Sequence, residues 1–336
     1  MPQVMDLGKL DPELLSREVL EVLPCTDERV LIGPGIGEDT SVVSLSGLSD
    51  HLLVASSDPI TGAEHDIGRY AVHVNANDVA TAGARPSLFL CNILLSKSSS
   101  REELRSILSQ IRRECEALQI SVIGGHTEVS PIERTVVSST MLGFVRRDML
   151  ARRRVEPGDL VVLTKGAGVE GTSIIAAKRS EELGQVLGEE LVERARGFAS
   201  KISVVPEAMV CSQHHVKRMH DPTEGGVLGG LMELSTAASI SLEVRLADIP
   251  VAAETDEICK VLGLDPLRLI GSGSLLSIFD PSHVDEVLSE LSRSGIEASV
   301  IGTVSSVGRA ELWVEDRGRR RRVSEFPKEE LWRAVV

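Results

Sequence analysis

The chain has 336 residues, of which 42% are hydrophobic and only 2% are aromatic, and its formal net charge is −14. This length and composition are typical of a globular protein with two domains of ordinary size. The negative charge and the scarcity of aromatic side chains argue against nucleic-acid binding, because phosphates would be repelled and bases would find few stacking partners. No run of 18 apolar residues and no C-x-x-C pair occurs, so we expect a cytoplasmic protein without a membrane segment.

The chain begins with a predicted helix, a glycine-rich loop and a strand. Asp11-Pro12 is typical of a helix start, with the aspartate as N-cap and the proline in the first turn, and the helix should end near Pro24. The loop GPGIGEDTSVV follows, and then the strand-like segment HLLVASSD, which ends at Asp58.

The segment NANDVATAGARP places one carboxylate, Asp78, among small residues. It belongs to a predicted helix from about Asp66 to Ala84, which Pro86 ends. Asp78 shares a helix face with the apolar residues four positions away on either side. That face should pack against protein, where an unpaired carboxylate is costly. Either a cation or a set of hydrogen-bond donors meets Asp78, or the helix is only half covered and the residue is ordinary.

Further elements complete the N-terminal half. SLFLCNILL has the pattern of a buried strand, and Ser100-x-x-Glu103 is a capping box that opens a helix with apolar residues at helical spacing. ISVIGG predicts a short strand before a loop, GGHTE, and TVVSSTMLGFV predicts a longer strand. The charged segment RRDMLARRRVEPGD contains a Pro-Gly turn, so we predict an N-terminal domain of residues 1–150 and a C-terminal domain of residues 151–336.

The C-terminal half has a similar mixture of strands and helices. DLVVLTK predicts a strand, GAGVEG a loop and TSIIAAKR a helix, and a long helical stretch is predicted from Glu189 to Gln213. HDPTEGG predicts a loop whose glycines open another helix. The run EDRGRRRRV, from Glu315 to Val323, predicts a solvated turn between two short strands, with a patch for an anionic partner as the alternative.

Two nucleotide-binding motifs bear on the function of this sequence. No G-x-x-x-x-G-K-[ST] occurs, which excludes a P-loop at the level of the motif. Gly166-x-Gly168-x-x-Gly171 matches the dinucleotide motif between a strand and a helix, but no strand with an acidic end follows about 20 residues later. An NAD- or FAD-dependent oxidoreductase is therefore a weaker rival hypothesis.

Several carboxylates stand at predicted element ends or among small residues. They are Glu38, Asp39, Asp58, Asp78, Glu128 and Asp221. Each alone could be a helix cap or a solvated charge. Together they offer the oxygen ligands that Mg²⁺ prefers while it bridges phosphate oxygens, and the neighbouring glycines let backbone N–H groups approach those phosphates.

Five segments together resemble a known superfamily. GPGIGEDTSVV, SSD at Asp58, NANDVATAGARP, GGHTE and MHDPTEGG occur in the order and spacing of the proteins that include aminoimidazole ribonucleotide (AIR) synthase, selenide water dikinase, thiamine-monophosphate kinase and the hydrogenase-maturation protein HypE. GGHTEVSP and HDPTEGG resemble most the HypE-like, AIR-synthase-related proteins common in archaea.

The resemblance implies a two-domain α/β (α+β) fold that binds ATP without a P-loop. It also implies a homodimer in which sheets of the N-terminal halves form a barrel-like core. Carried over by position, Asp39, Asp58 and Asp78 would hold Mg²⁺ against the triphosphate.

The resemblance further implies contacts to the cofactor and to the reacting groups. The cofactor-binding positions would be Gly35, Gly37, Asn77, Gly124, Gly125 and Thr127, and the catalytic positions His126, Glu128 and Asp221. From the residues alone, His126 is either a proton donor or phosphate contact, or a structural histidine. Lys165 is a further possible phosphate contact.

Two departures from HypE leave the substrate open. HypE ends in a cysteine that carries the group to be dehydrated, whereas this sequence ends LWRAVV, and Glu224 stands where HypE has an arginine. We therefore expect an enzyme, not a full HypE, that phosphorylates an oxygen of a small molecule or modified side chain and releases ADP. The alternative is a non-catalytic nucleotide-binding regulator or scaffold of a maturation pathway.

Overall fold

The computed structural model describes residues 12–16, 30–32, 35–46, 50–61 and 66–335. The chain divides into two compact units, here named the N-terminal unit (27–33 and 39–150) and the C-terminal unit (1–26, 34–38 and 151–336). The change at residue 151 lies in the charged Pro-Gly segment, whereas residues 34–38 group with the C-terminal unit. Of the predicted first helix, α1 (Pro12–Leu15) is described; its predicted N-cap and C-terminal end lie outside the described residues.

The N-terminal unit is a six-stranded sheet with two helices. The sheet order is β1-β2-β3-β6-β4-β5, and all neighbours are antiparallel except β4 and β5. The elements are β1 (Val30–Ile32), β2 (Ser41–Ser44), β3 (His51–Ile60), α2 (Ile67–Thr81), β4 (Arg85–Leu95), α3 (Arg101–Leu118), β5 (Ser121–Val129) and β6 (Val136–Arg146).

Helix α2 carries NANDVATA and lies close against the sheet. A Cβ on Gly143 of β6 would be 2.5 Å from Val79 Cγ1 of α2 and 2.7 Å from Arg85 O, so only glycine fits there. Ala76, Val79 and Ala80 are fully buried. The small side chains thus allow a close helix–sheet approach. The helix face that carries Asp78 is covered by protein, so the alternative of a half-covered helix does not apply.

Helix α3 begins after the predicted N-cap, Ser100, but the Glu103 side chain of the predicted capping box accepts a hydrogen bond from Thr135 Oγ1 at 2.6 Å. The Ser100 side chain accepts a hydrogen bond from Glu103 N at 3.1 Å. Ile107, Ile111 and Cys115, which the helical spacing placed on one face, are buried.

The segment GGHTE was predicted to be a loop, but in the structure it is part of strand β5. It pairs in parallel with β4, with Gly125 opposite Cys91. Gly125 has φ +145°, and a Cβ there would be 1.8 Å from Cys91 O, so this glycine permits a close approach of two strands. Paired glycines also mark loops, which explains the wrong prediction.

The C-terminal unit is built around a seven-stranded sheet of order β13-β12-β9-β11-β7-β10-β8. Its core holds the buried side chains of Val161, Leu163, Leu242, Ile278 and Val314. The strands are β7 (Leu160–Thr164), β8 (Arg218–His220), β9 (Ile240–Arg245), β10 (Leu276–Phe279), β11 (Ala298–Val307), β12 (Glu311–Asp316) and β13 (Arg319–Val323). The helices, besides α1, are α4 (Val169–Lys178), α5 (Ser180–Leu187), α6 (Glu189–Arg196), α7 (Val205–Gln213), α8 (Gly226–Ala238), α9 (Ala253–Leu262), α10 (Pro281–Arg293) and α11 (Leu331–Val335).

Two predictions for this unit have opposite outcomes. The arginine-rich turn is confirmed, because β12 and β13 form a hairpin with Arg317 and Gly318 at positive φ. The single helix from Glu189 to Gln213 is wrong, since α6 ends at Arg196 and α7 begins at Val205 after a 3₁₀ segment. Pro206, in the first turn of α7, has no N–H to donate and fits a new helix start, not a helix interior. No helix in the described parts of the chain is long and apolar enough to cross a membrane.

Candidate functional site

Asp78 is a buried carboxylate on helix α2, with 6% of its surface exposed. Its Oδ2 accepts a hydrogen bond of 2.6 Å from Ser56 Oγ on β3. Burial raises the pKa of Asp78 well above its ordinary value, and the negative charges of Asp58 and Asp39 raise it further. The structure therefore gathers three predicted carboxylates from three separate segments of the N-terminal unit.

Asn75 holds the strand end that carries Asp58. Asp58 N donates to Asn75 Oδ1 at 2.9 Å, and Asn75 Nδ2 donates to Ala71 O at 3.0 Å within α2. Asn75 is fully buried, so these contacts fix β3 relative to α2. Asn75 was not among the site residues predicted from the sequence, although it lies three positions before Asp78.

The donor set of this carboxylate cluster (Asp39, Asp58 and Asp78) fits Mg²⁺ that is shared with phosphates. Among the described residues, no group of three or more His, Cys, Asp or Glu side chains is close enough to hold a metal ion by itself. Mg²⁺ commonly takes one or two carboxylates and fills its remaining positions with waters and phosphate oxygens. A divalent cation would also relieve the repulsion that raises the pKa of Asp78.

The β5 residues form a separate, exposed group. His126 Nε2 lies 3.3 Å from Glu128 Oε2, and Ser130 Oγ donates to Glu128 Oε1 at 2.5 Å. The hydrogen bonds from Ser130 and then His126 lower the pKa of Glu128. Within the described part of the chain, no hydrogen bond or ion pair joins His126 or Glu128 to Asp78.

Four of the predicted site positions on β5 line a cleft of about 250 Å³. Gly124, Gly125, His126 and Thr127 lie along it, beside apolar side chains that include Val122. Asn77, a predicted cofactor contact on α2, is fully buried.

Asp221 lies in the C-terminal unit, directly after β8. It is 1% exposed and precedes the glycines that open α8. Gly225 and Gly226 both have positive φ, +80° and +61°, as the predicted glycine-opened helix requires.

The glycine-rich segment 35–38 also groups with the C-terminal unit. A Cβ on Gly37, which has φ +73°, would lie 2.4 Å from Glu233 O of α8, so packing against α8 requires this glycine. Gly35 O accepts the turn hydrogen bond from Glu38 N at 3.1 Å. Glu38, considered beside Asp39 from the sequence, pairs with Arg152 at 2.9 Å.

Two arginines that the sequence analysis missed form a basic pair in this unit. Arg152 and Arg218 face each other in an isolated β-bridge. Burial lowers the pKa of Arg218 to about 10, and the charge of Arg152 lowers it further, while Glu38 opposes both effects. Two cations against one carboxylate can accept an anion such as a phosphate. The only sequence signal was the arginine run near residue 152, which indicated a charged linker.

Two sequence candidates have structural explanations instead. Lys165 Nζ donates to Lys201 O at 2.8 Å and Ser203 O at 2.6 Å and pairs with Glu207 at 2.6 Å, so its donors are used within the protein. The G-x-G-x-x-G segment follows β7, whose neighbours β10 and β11 are both antiparallel to it. It is therefore not part of the parallel βαβ unit that a dinucleotide site needs.

Comparison with known proteins identifies both halves of the chain. Residues 37–145 match the N-terminal domain model of AIR synthase related protein, and residues 156–315 match its C-terminal domain model. A putative hydrogenase expression/formation protein of Methanocaldococcus jannaschii is 25% identical over 322 residues, which is 93% of each chain. Carbamoyl dehydratase HypE of Cupriavidus necator is 28% identical over 250 residues, covering 73% of this chain and 69% of that protein.

One solved structure extends the comparison to the fold. The crystal structure of a hydrogenase maturation protein HypE in complex with ATP has a TM-score of 0.72 and 22% sequence identity, and the match covers 98% of both chains. The two-domain α/β fold predicted from the sequence is thus confirmed.

Proposed function

The chain belongs to the AIR synthase related protein family, and on that premise we propose that it is an ATP- and Mg²⁺-dependent enzyme. It transfers the γ-phosphoryl group of ATP to an oxygen, such as an amide oxygen, of a small molecule or modified side chain, and it releases ADP. The similarity to a HypE that was crystallised with ATP supports the choice of nucleotide. Four described cysteines are free and buried, which supports a reducing, cytoplasmic location.

The carboxylate cluster carries this proposal. A carboxylate that is 6% exposed and lies near two further carboxylates is unfavourable unless a cation accompanies it. At an effective dielectric constant of about 20, two unit charges 4 Å apart interact by roughly 4 kcal/mol. The cluster therefore supports a site that is completed by Mg²⁺ and the phosphates of ATP.

The remaining residues have roles that follow from their position. Gly124, Gly125 and Thr127 present an exposed backbone on β5, so we assign them phosphate contacts. His126 and Glu128 form an exposed pair on the same strand and are proposed to handle protons there. Asp221, in the C-terminal unit, keeps its proposed role as a catalytic residue.

The basic pair of Arg152 and Arg218 is a proposed anion-binding position within the C-terminal unit. Neither side chain is fully exposed, and among the described residues Glu38 pairs with Arg152 and interacts with the charge of Arg218. A partly buried guanidinium pair favours a bidentate anionic ligand.

The reaction needs positioning and charge neutralisation more than covalent chemistry. The acceptor oxygen bonds to the γ-phosphorus while the bond to the β–γ bridging oxygen breaks and its electron pair leaves with ADP. Mg²⁺, when bound, neutralises charge on the phosphates. The phosphorylated oxygen is then a better leaving group for a later step.

We also propose a homodimer formed through β5. This strand is at the edge of its sheet and exposed along its whole length. Val122, Ile123 and Val129 are 52%, 50% and 66% exposed. An exposed apolar edge strand is normally covered by another chain, and a second copy of the same sheet is the partner that the family membership suggests.

Calorimetric titration with ATP tests the proposed site. We expect binding in the presence of Mg²⁺ and at least tenfold weaker binding in a chelator, because the carboxylates then face the triphosphate unscreened. Equal affinity with and without Mg²⁺ would contradict the metal-dependent site. ADP release separates an enzyme from a non-catalytic nucleotide-binding regulator.

A further inference from the structure

The first turn of α4 and two loops of the C-terminal unit meet around one buried carboxylate, Glu170. The first turn of α4 and the segment after the 3₁₀ turn Pro266–Arg268 are joined by a hydrogen bond from Gly171 N to Ile270 O, 3.0 Å. The loop before α8 joins the same segment through Gly271 N and Thr223 O, 3.3 Å apart. These backbone contacts place Glu170, in the first turn of α4, near enough to Glu224, in the loop before α8, for their charges to interact.

The Glu329 carboxylate connects these segments, and its hydrogen-bonding capacity is used by backbone N–H groups. Its carboxylate accepts hydrogen bonds from Gly225 N at 2.8 Å, Ile270 N at 3.0 Å and Leu331 N at 2.7 Å. A carboxylate with three backbone donors has a structural role. It nevertheless adds negative charge beside Glu170.

Glu170 differs from Glu329 because one of its carboxylate oxygens, Oε2, has no hydrogen-bond partner. The side chain is 7% exposed, and Oε2 is buried without a hydrogen bond. The Ser272 hydroxyl hydrogen-bonds to the carboxyl group, which favours the charged form. Burial has the opposite and larger effect and, together with the charges of Glu329 and Glu224, raises the pKa of Glu170 to about 7. A buried acceptor without a donor is costly and uncommon in proteins.

The surroundings restrict what can fill this position. An anion is disfavoured by the three carboxylates. A metal ion would need additional ligands such as phosphates, because no three His, Cys, Asp or Glu side chains in the described ranges are spaced to hold one by themselves, and the carboxylates disfavour such anions here. A larger cation with several N–H groups can reach carboxylates that are further apart.

We propose that Glu170 and Glu224 bind a protonated nitrogen group with several N–H donors, an amidinium or guanidinium. One N–H donates to Glu170 Oε2, and the positive charge offsets the carboxylates. Glu224 is half-buried, so the group reaches Glu170 from that side. This site lies within the C-terminal unit and does not depend on ATP turnover.

Titration of Glu170 itself tests the proposal. In protein labelled with ¹³C at glutamate carboxyl groups, the Glu170 signal is assigned by its loss in Glu170→Gln, and its pKa is measured with and without methylguanidinium. We expect a pKa near 7 without the ligand and a decrease of at least about one unit with it, as for a carboxylate that gains a cation within hydrogen-bond distance.

Two cations serve as controls. Tetramethylammonium has the same charge but no N–H donor, so it should leave the Glu170 pKa unchanged. An equal decrease with tetramethylammonium, a decrease with Mg²⁺ but not with methylguanidinium, or no decrease with any cation would overturn the proposal. Glu181→Gln, a substitution at an exposed glutamate, should keep the methylguanidinium response, and its loss there would also count against a site at Glu170.

Discussion

Glu170 should make the stability of the protein depend on pH in a defined direction. Its pKa in the folded state is about 7, above the ordinary 4.5, so its stabilising contribution is complete below about pH 4.5 and is lost as the pH rises through 7. Since one pKa unit corresponds to about 1.4 kcal/mol, this loss amounts to about 3 kcal/mol. Glu170→Gln has no proton to lose and should escape it.

Urea unfolding at several pH values measures this effect. The free energy of unfolding of Glu170→Gln minus that of the wild type should increase by about 3 kcal/mol from pH 4.5 to pH 8. The exposed Glu181→Gln variant should give a flat difference. A flat difference for Glu170→Gln as well would show that Glu170 is not perturbed.

Asp78 should be essential for the binding of Mg-ATP. Asp78→Asn keeps the size and the hydrogen bond from Ser56 but removes the charge, so we expect the affinity for Mg-ATP to fall at least tenfold, about 1.4 kcal/mol. Calorimetry measures it, and Asp50→Asn, a substitution at an exposed aspartate of the same unit, should bind as the wild type does. An unchanged affinity for Asp78→Asn would remove Asp78 from the proposed site.

Strand β5 is the element on which the proposed dimer depends. Ile123→Lys puts a charge at a half-exposed apolar position of the edge strand, where a second chain would have to bury it. We expect the variant to be monomeric at micromolar concentration in light scattering, whereas the wild type is dimeric.

Val307→Lys is the matched control for that experiment. Val307 is 47% exposed and lies on β11 of the C-terminal unit, so its substitution should leave the dimer intact. A monomeric wild type, or a dimer that survives Ile123→Lys, would contradict assembly through β5.

The elements that the sequence predicted correctly have local signals. The N-cap at Ser100 and the Arg317-Gly318 turn are determined by residues within a few positions of each other. The continuation of strand β5 through GGHTE was missed because it depends on pairing with β4, more than 30 residues earlier. The glycine pair that makes this pairing possible is indistinguishable, in the sequence, from a loop.

At the scale of the whole molecule, some residues of the candidate sites could be predicted from local motifs and others could not. Asp39, Asp58 and Asp78 were recognised because they belong to sequence motifs, and the structure brings them together. Arg218 and Glu170 were not recognised, because their properties come from burial and from charges on distant segments. Burial of that kind is created by the fold and leaves no local pattern.

Nucleotide turnover is the whole-molecule property that tests the central claim most directly. The wild-type protein is incubated with ATP, Mg²⁺ and a panel of metabolites that carry amide or carboxylate oxygens, and ADP is measured over time. We predict ADP release that requires Mg²⁺, increases with at least one acceptor, and is lost in Asp78→Asn but kept in Asp50→Asn. Binding of Mg-ATP with no ADP formed under any condition, or equal ADP formation by Asp78→Asn, would contradict an ATP-dependent enzyme that acts through the carboxylate cluster.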